Sequence, residues 1–333
     1  MYLLAETNMQ SVCNSLKKKI INDLTPLIDN DYIFLDLPYY TNIGDTLIWK
    51  GTEAFLRTLP YKCLYKTAIE TYIKPDISKN IVILVQGGGN FGDLWRRHND
   101  FCLKLITEFP ENKIIILPKS VYYENKDLIK IDARLMAKHS NLIICARDTV
   151  SYETLTFFFS NRILLVPDMA FAISETYLRR LNKVEENNAL FFKRKDKEYN
   201  PFDYESHLSC SYKIEESEWP SMGKELFASL ILSYLKTTFI KTRKLVLFNK
   251  VISKITDWYA VHIYMPYLIR IGVRFLGSYK YIYTTRLHGA ILGMLLNKHI
   301  TFFDNSYGKN YNFYQTWLKN VPDIVFFKNK HRL

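Results

Sequence analysis

Short apolar runs alternate with helical stretches along the first half of the chain, and this rhythm constrains the fold more than any other feature. YIFLDL (32–37), IVILVQ (81–86), KIIILP (113–118), NLIICA (141–146) and RILLVP (162–167) are separated by helical patterns near 45–58, 94–109, 126–138 and 149–159. Strands that are continuously apolar rather than alternating are buried on both faces, which requires a parallel sheet with helices packed on either side. The polar stretch SETYLRRLNKVEENN (174–188) reads as a linker. A second alternating unit follows: ALFFKR (189–194), a helix near 223–241, YKYIYTT (279–285), a helix near 289–296, HITFFD (299–304) and a helix near 311–319. At 333 residues and 48% hydrophobic content the chain can bury two cores. The expectation is an α/β protein of two Rossmann-like doubly wound domains, 1–175 and 186–333, facing a cleft at the carboxyl ends of their strands.

Composition narrows the partners. The net charge of +12 calls for an anionic one, and the segment 236–280 holds nine basic residues against one acid, a net +8. Within it, Phe248, Val251, Ile252, Ile255, Trp258, Tyr259 and His262 recur at roughly helical spacing beside Lys250 and Lys254. Such a helix either faces the core or lies on an anionic membrane surface, where basic and aromatic residues occur together. A membrane surface and a phosphorylated substrate are therefore the expected partners, and nucleic acid is not. No apolar stretch reaches the roughly 20 residues of a membrane span, and MYLLAETNMQ lacks the layout of a secretory signal, so a cytoplasmic protein peripheral on the inner membrane face is expected. The five cysteines are scattered singly, and no metal-ligating constellation is present, so neither a disulfide framework nor a required metal is expected.

The motifs cluster at strand ends. Gly87-Gly88-Gly89-Asn90-Phe91-Gly92 has the G-x-G-x-x-G form, but the strand IIILP ends in Pro118-Lys119-Ser120 where a dinucleotide site needs an acid, and Asp93-Leu94 stand where a P-loop needs Lys and Ser or Thr. What remains is a glycine-rich turn open to a ligand. Asn42-Ile43-Gly44-Asp45 and Asn90-Phe91-Gly92-Asp93 repeat one pattern after two strands; Asp45 and Asp93 either cap the following helices or line the cleft. In Thr284-Thr285-Arg286-Leu287-His288-Gly289, at a strand–helix junction, Arg286 and His288 should share the cleft side while Leu287 turns into the core. An Arg beside a helix N-terminus suits a phosphate or carboxylate. Arg147 and Arg194 also end strands; Arg147 has Asp148 as a ready ion-pair partner, and Arg194 emerges across the cleft.

The ordered set Asn42-x-Gly44-Asp45, Gly87-Gly88-Gly89-Asn90-x-Gly92-Asp93, Arg147-Asp148-x-x-Ser151, Val166-Pro167-Asp168, Arg286-Leu287-His288-Gly289 and Asp304-Asn305-x-Tyr307-Gly308-Lys309-Asn310 resembles the polysaccharide pyruvyl transferase family from about residue 40 to about 318. The resemblance implies a GT-B-like pair of domains, phosphoenolpyruvate as donor and co-substrate with no other cofactor, and a saccharide acceptor that is often lipid-linked. The Arg and His of the motif carry over to Arg286 and His288, with Leu287 and Gly289 beside them and either Arg194 or Arg147 completing the donor site on the C-terminal side. Asn42, Gly44, Asp45, Gly88, Gly89, Asn90, Asp93, Asn305 and Lys309 are the expected acceptor-side or cleft residues. In ketal formation His288 would protonate the donor's methylene carbon and Asp45 would take the hydroxyl proton. The rival readings are a nucleotide-sugar glycosyltransferase of the same architecture and a non-catalytic protein that holds an assembly complex at the membrane.

Overall fold

The computed structural model describes residues 8–182, 188–196, 198–222, 226–321 and 323–328. It opens with helix α1 (Met9–Leu24), whose N-cap Asn8 accepts from the Ser11 amide and which buries Met9, Cys13, Leu16, Ile20 and Leu24 along one face. The strand–helix rhythm, read from residue 32 onward, does not include this helix; its Lys17, Lys18 and Lys19 are at least partly exposed.

The first sheet carries β1 (Tyr32–Leu35), β2 (Cys63–Thr67), β3 (Val82–Val85), β4 (Gly88–Gly92), β5 (Ile114–Tyr122), β6 (Leu142–Ala146) and β7 (Arg162–Leu165). Helices α2 (Ile43–Leu56), α3 (Arg96–Glu108), α4 (Lys126–Met136) and α5 (Thr149–Phe158) connect them. All pairings are parallel in the order β2-β1-β3-β5-β6-β7, with β4 pairing on the overhang of β5 beyond β3. The polar stretch expected as a linker contains helix α6 (Glu175–Leu181), anchored by buried Leu178; its residues 183–187 lie outside the described residues.

The second sheet contains β8 (Asn188–Phe192), β9 (Ile214–Ser217), β10 (Tyr279–Thr284), β11 (His299–Phe303) and β12 (Ile324–Phe327), parallel in the order β12-β11-β10-β8-β9. Between β9 and β10 the chain forms α7 (Phe227–Lys241), α8 (Val246–Tyr259) and, through a π-helical turn at Ala260–Tyr264, α9 (Met265–Gly277). Helices α10 (Leu287–Leu295) and α11 (Lys309–Phe313) follow β10 and β11.

Both sheets wind the same way. The chain steps from β1 out to β2 and returns across β1 to β3, and from β8 out to β9 and back across to β10. Each sheet therefore has a topological switch point, where loops diverge to opposite faces and leave a crevice for ligands. The loop after β1 carries the first N-x-G-D pattern and the second runs through β4, which follows β3, to Asp93, while the loops after β8 and β10 carry Arg194 and Arg286. The glycine-rich run is an extended strand rather than a tight turn: Gly92, at φ 121°, lies so close to β5 that a Cβ would sit 1.9 Å from the Tyr122 carbonyl oxygen.

One apolar cluster joins the two units, drawing on α1, α2, Met169–Ala172, Trp219, α9 and α10. Close approach fixes it, since a Cβ at Gly51 would meet the Met169 carbonyl at 1.8 Å and one at Gly272 would meet Ile43 at 2.5 Å. A separate cluster fills the other face of the first sheet, from Ile33 and Leu35 to Phe101 and Ile144.

Candidate active site

A cavity of about 670 Å³ opens between the carboxyl ends of the two sheets. It is lined by Asn42, Gly44, Asp45, Gly89, Asn90, Arg147, Arg194, Arg286, Leu287, His288 and Lys309 among the expected residues, and also by Tyr40, Trp95, His98, Asp196, Glu198, Trp219 and Met222. Four expected residues sit elsewhere. Asp93 neither lines the cavity nor caps a helix; its carboxylate accepts from the Glu124 and Asn125 amides at 3.0 and 2.8 Å and ties β4 to the loop after β5. Gly88, at φ 141°, does not line the cavity; a Cβ there would stand 3.7 Å from both Asn90 Oδ1 and Ile48 and 3.8 Å from Asp45 Oδ1. Gly289 serves packing, since a Cβ there would meet Thr284 Oγ1 at 2.5 Å and Phe192 at 2.7 Å. Asn305 stands one layer back, accepting from the Lys309 amide and donating to Glu198.

The second sheet presents His288 from the first turn of α10, with Arg286 as N-cap residue and Leu287 buried in the core. His288 Nε2 lies 3.3 Å from Asp168 Oδ2, and the same carboxylate receives Arg147 Nη1 at 2.8 Å and, on Oδ1, the Ala170 amide at 2.9 Å. Burial alone would lift the Asp168 carboxyl, but the charge and hydrogen bond of His288, together with Arg147 and the Ala170 amide, hold it well below the usual carboxylate range. Arg147 pairs with Asp168 rather than with its neighbour Asp148, to which it is linked through Ser120; Asp148 instead caps α5 by accepting from the Ser151 amide. With Nε2 turned to Asp168, His288 turns Nδ1 towards Gly44, where a Cβ would stand 2.7 Å from it. Gly44 thus makes room for the imidazole.

The remaining cations share carboxylates. Arg194 is bidentate on Asp196 at 2.8 and 3.0 Å and reaches Glu198 at 2.6 Å. Glu198 also accepts from Lys309 Nζ at 2.6 Å and from Asn305 and Tyr307, and these partners, the charges of Lys309 and Arg194 foremost, overcome the effect of burial and hold its carboxyl well below its ordinary value. One carboxylate serving two cations leaves Lys309 under-compensated. Burial pushes its ammonium down to about 8; Glu198 opposes the shift, and Arg194 and Arg147 add to it. Arg286 pairs with Glu218 through Nε and Nη2 and lies 3.3 Å from Asp196. A Cβ at Gly89 would lie 3.0 Å from Arg147 Nη2 and 3.4 Å from Lys309 Nζ, so the bare strand edge leaves space beside both cations.

On the opposite wall Asn42 caps α2 by accepting from the Gly44 amide, which frees Asp45 from that role. Asp45 Oδ2 accepts from Asn42 Nδ2 at 2.7 Å and from the Tyr40 hydroxyl at 3.1 Å. The side-chain oxygen Oδ1 of Asn90, also on this wall, is buried with no hydrogen-bond partner among the described residues. Sequence reasoning gave no role to Asp168, although it stands in the Val166-Pro167-Asp168 motif, and it missed Asp196, Glu198, Glu218 and His98. Among the described residues no group of His, Cys, Asp and Glu is arranged to hold a metal ion.

The sequence profile of polysaccharide pyruvyl transferases matches residues 42–307, which span the loops that build this cavity. EpsO of Bacillus subtilis (strain 168), provisionally named a pyruvyl transferase, is 36% identical over 316 residues, covering 92% of each chain. Pyruvyl transferase 1 of Schizosaccharomyces pombe is 26% identical over 85% of this chain and 69% of its own, and general stress protein 30 of Bacillus subtilis is 26% identical over 93% and 86%. A crystal structure of a functionally uncharacterised Klebsiella pneumoniae protein shares the fold, with a TM-score of 0.62 at 20% identity over 94% of this chain and 99% of that one. On the profile match and the full-length similarity to EpsO, this chain belongs to the polysaccharide pyruvyl transferase family.

Proposed function

We propose that the cavity transfers the pyruvyl group of phosphoenolpyruvate to two hydroxyls of a saccharide, forming a ketal, in a GT-B-like pair of domains with the donor on the second and the acceptor on the first. The observation that carries this reading is the convergence of Arg147, Arg194, Arg286 and Lys309 with a carboxylate-bound imidazole at the N-terminus of α10. Phosphoenolpyruvate has a phosphate and a carboxylate to be gripped and a methylene carbon to be protonated. Guanidinium groups and a helix N-terminus suit the first need, and His288 held on Asp168 suits the second. Arg286 is already paired, so a donor anion binds it by exchanging with Glu218 and Asp196. Asp45 and the unpartnered Asn90 oxygen offer acceptors to saccharide hydroxyls on the other wall.

Calorimetric titration with phosphoenolpyruvate should show binding at pH 7 in excess chelator. Binding should weaken as pH rises through about 8, where Lys309 gives up its proton and the site loses a cation. Binding abolished by chelator, or replaced by binding of a nucleotide sugar, counts against the donor assignment. A non-catalytic assembly protein would instead keep its function in Arg286→Ala and His288→Ala variants.

A peripheral membrane location and a lipid-linked acceptor fit the same reading. Among the described residues no helix is long and apolar enough to cross a membrane. Of the apolar stripe on α8, Ile252 and Tyr259 are buried, whereas Phe248, Val251, Ile255 and Trp258 are exposed. They continue at the α7–α8 turn into Leu245, Val246 and Leu247, the last 82% exposed, beside Lys241, Arg243 and Lys244. An apolar ridge of this kind, rimmed by cations, is what an anionic bilayer surface receives, each basic residue near it contributing on the order of 1 kcal/mol. Co-sedimentation with anionic vesicles is expected, weakened by salt and by Leu247→Glu with Phe248→Glu; equal binding to zwitterionic and anionic vesicles at all ionic strengths contradicts it.

A further inference from the structure

We propose that His98, positioned by Asp36, is the base that takes the proton from the attacking acceptor hydroxyl; the assignment rests on the pyruvyl-transfer reading above. His98 lies in the first turn of α3, on the cavity wall formed by the loops after β1 and β3. Its Nδ1 stands 2.7 Å from Oδ1 of Asp36, whose side chain is 1% exposed. Asp36 directly follows β1 at the switch point with φ 68°, a left-handed conformation uncommon outside glycine, which surrounding structure must hold in place. Its second oxygen lies 3.4 Å from the buried Lys119 ammonium, which supplies a counter-charge.

A carboxylate can only accept, so Nδ1 carries the ring hydrogen and neutral His98 has its lone pair on Nε2. That nitrogen has no hydrogen-bond partner among the described residues. The cavity thus holds two imidazoles on separate carboxylates, His288 on Asp168 and His98 on Asp36. Ketal formation needs two such groups, because a proton is added to carbon as another leaves oxygen. Asp45 fits the second task less well: one of its oxygens already holds Asn42 and Tyr40, which suits gripping a hydroxyl more than deprotonating it.

In the first step the acceptor oxygen bonds to C2 of the donor while its proton passes to His98 Nε2, and the C2=C3 electron pair takes a proton from His288. The C2–O bond to phosphate then breaks, the electron pair leaving with phosphate, which carries off the proton held by His98. The second hydroxyl closes onto C2, and its proton restores His288.

The test uses labelled phosphoenolpyruvate with a panel of p-nitrophenyl β-hexosides, whose 4- and 6-hydroxyls can close a six-membered ketal. His98→Ala should lower the single-turnover rate by roughly 10²-fold or more, the usual worth of a positioned base, with donor affinity by calorimetry within about threefold of wild type. Free imidazole should restore at least about tenfold of that loss, which a merely structural role would not allow. Asp36→Asn should lower the rate in the same direction. A folded His98→Ala variant with a near-wild-type rate, or one that imidazole does not rescue, overturns the assignment. A wild-type protein inactive with phosphoenolpyruvate but active with a nucleotide sugar overturns the pyruvyl-transfer reading itself, so the two failures are distinguishable.

Discussion

His288→Gln is expected to cut the single-turnover rate by roughly 10²–10⁴-fold while leaving phosphoenolpyruvate affinity and melting temperature close to wild type. Glutamine fills similar space and keeps hydrogen-bonding capacity towards Asp168, but it cannot deliver a proton. The imidazole is placed for that delivery: Nε2 is held on the buried Asp168 carboxylate, which fixes the ring orientation, and Nδ1 points to the space left by Gly44. Arg286→Ala should behave differently. Its guanidinium would grip donor anions in ground and transition states alike, so its loss falls mainly on donor affinity and also releases Glu218, leaving an unpaired carboxylate that repels the donor. Donor affinity, melting temperature and single-turnover rate measured on the same preparations separate these cases. If His288→Gln turns over normally while folded, the proton comes from another group.

The doubly wound architecture was legible because central parallel strands must be apolar on both faces, and those of β1, β3, β5, β6, β8, β10 and β11 stand out as runs. The strands that escaped notice, β2, β9 and β12, are all sheet edges, where one flank meets solvent and sequences such as CLYKT and IEES serve as well as an apolar run. The short β4 escaped because it is built largely of glycine. The two N-x-G-D patterns show a further limit. After β1 the chain passes through the loop of residues 36–42 directly into α2 with no intervening strand, so Asn42 caps the helix and Asp45 faces the cavity. After β3 it continues as β4 along the overhang of β5, which carries Asp93 past the cavity to the amides of residues 124 and 125. The same local pattern thus takes two roles, decided by how far the neighbouring strand extends. The strand-end cations Arg147, Arg194 and Arg286 were visible as residue types, but their counter-ions were not. Asp168 meets a histidine 120 residues away, a pairing that only the juxtaposition of the two sheets creates, and Glu218 meets an arginine 68 residues away across the second sheet.

Asp168 is expected to give the largest combined loss, of stability and of rate. Its carboxylate is buried between Arg147, whose side chain is itself 1% exposed, and His288, so Asp168→Asn leaves a guanidinium in the interior without its counter-charge. Removing one member of such a pair costs about 3–5 kcal/mol, whereas replacing both by apolar groups is often close to neutral. The double variant Asp168→Asn with Arg147→Met should therefore recover much of the stability lost in the single one. Turnover should not recover with it, because His288 would still lack the carboxylate that orients its ring. At neutral pH the full contribution of Asp168 is present: a carboxyl whose folded pKa is depressed stabilises above its unfolded value of about 3.9, and that contribution is lost as pH falls through the folded value. Denaturant unfolding and single-turnover rates at pH 7 on both variants then decide between two roles. If the double variant regains rate together with stability, Asp168 serves only to neutralise Arg147. If stability returns and the rate does not, the carboxylate acts through His288.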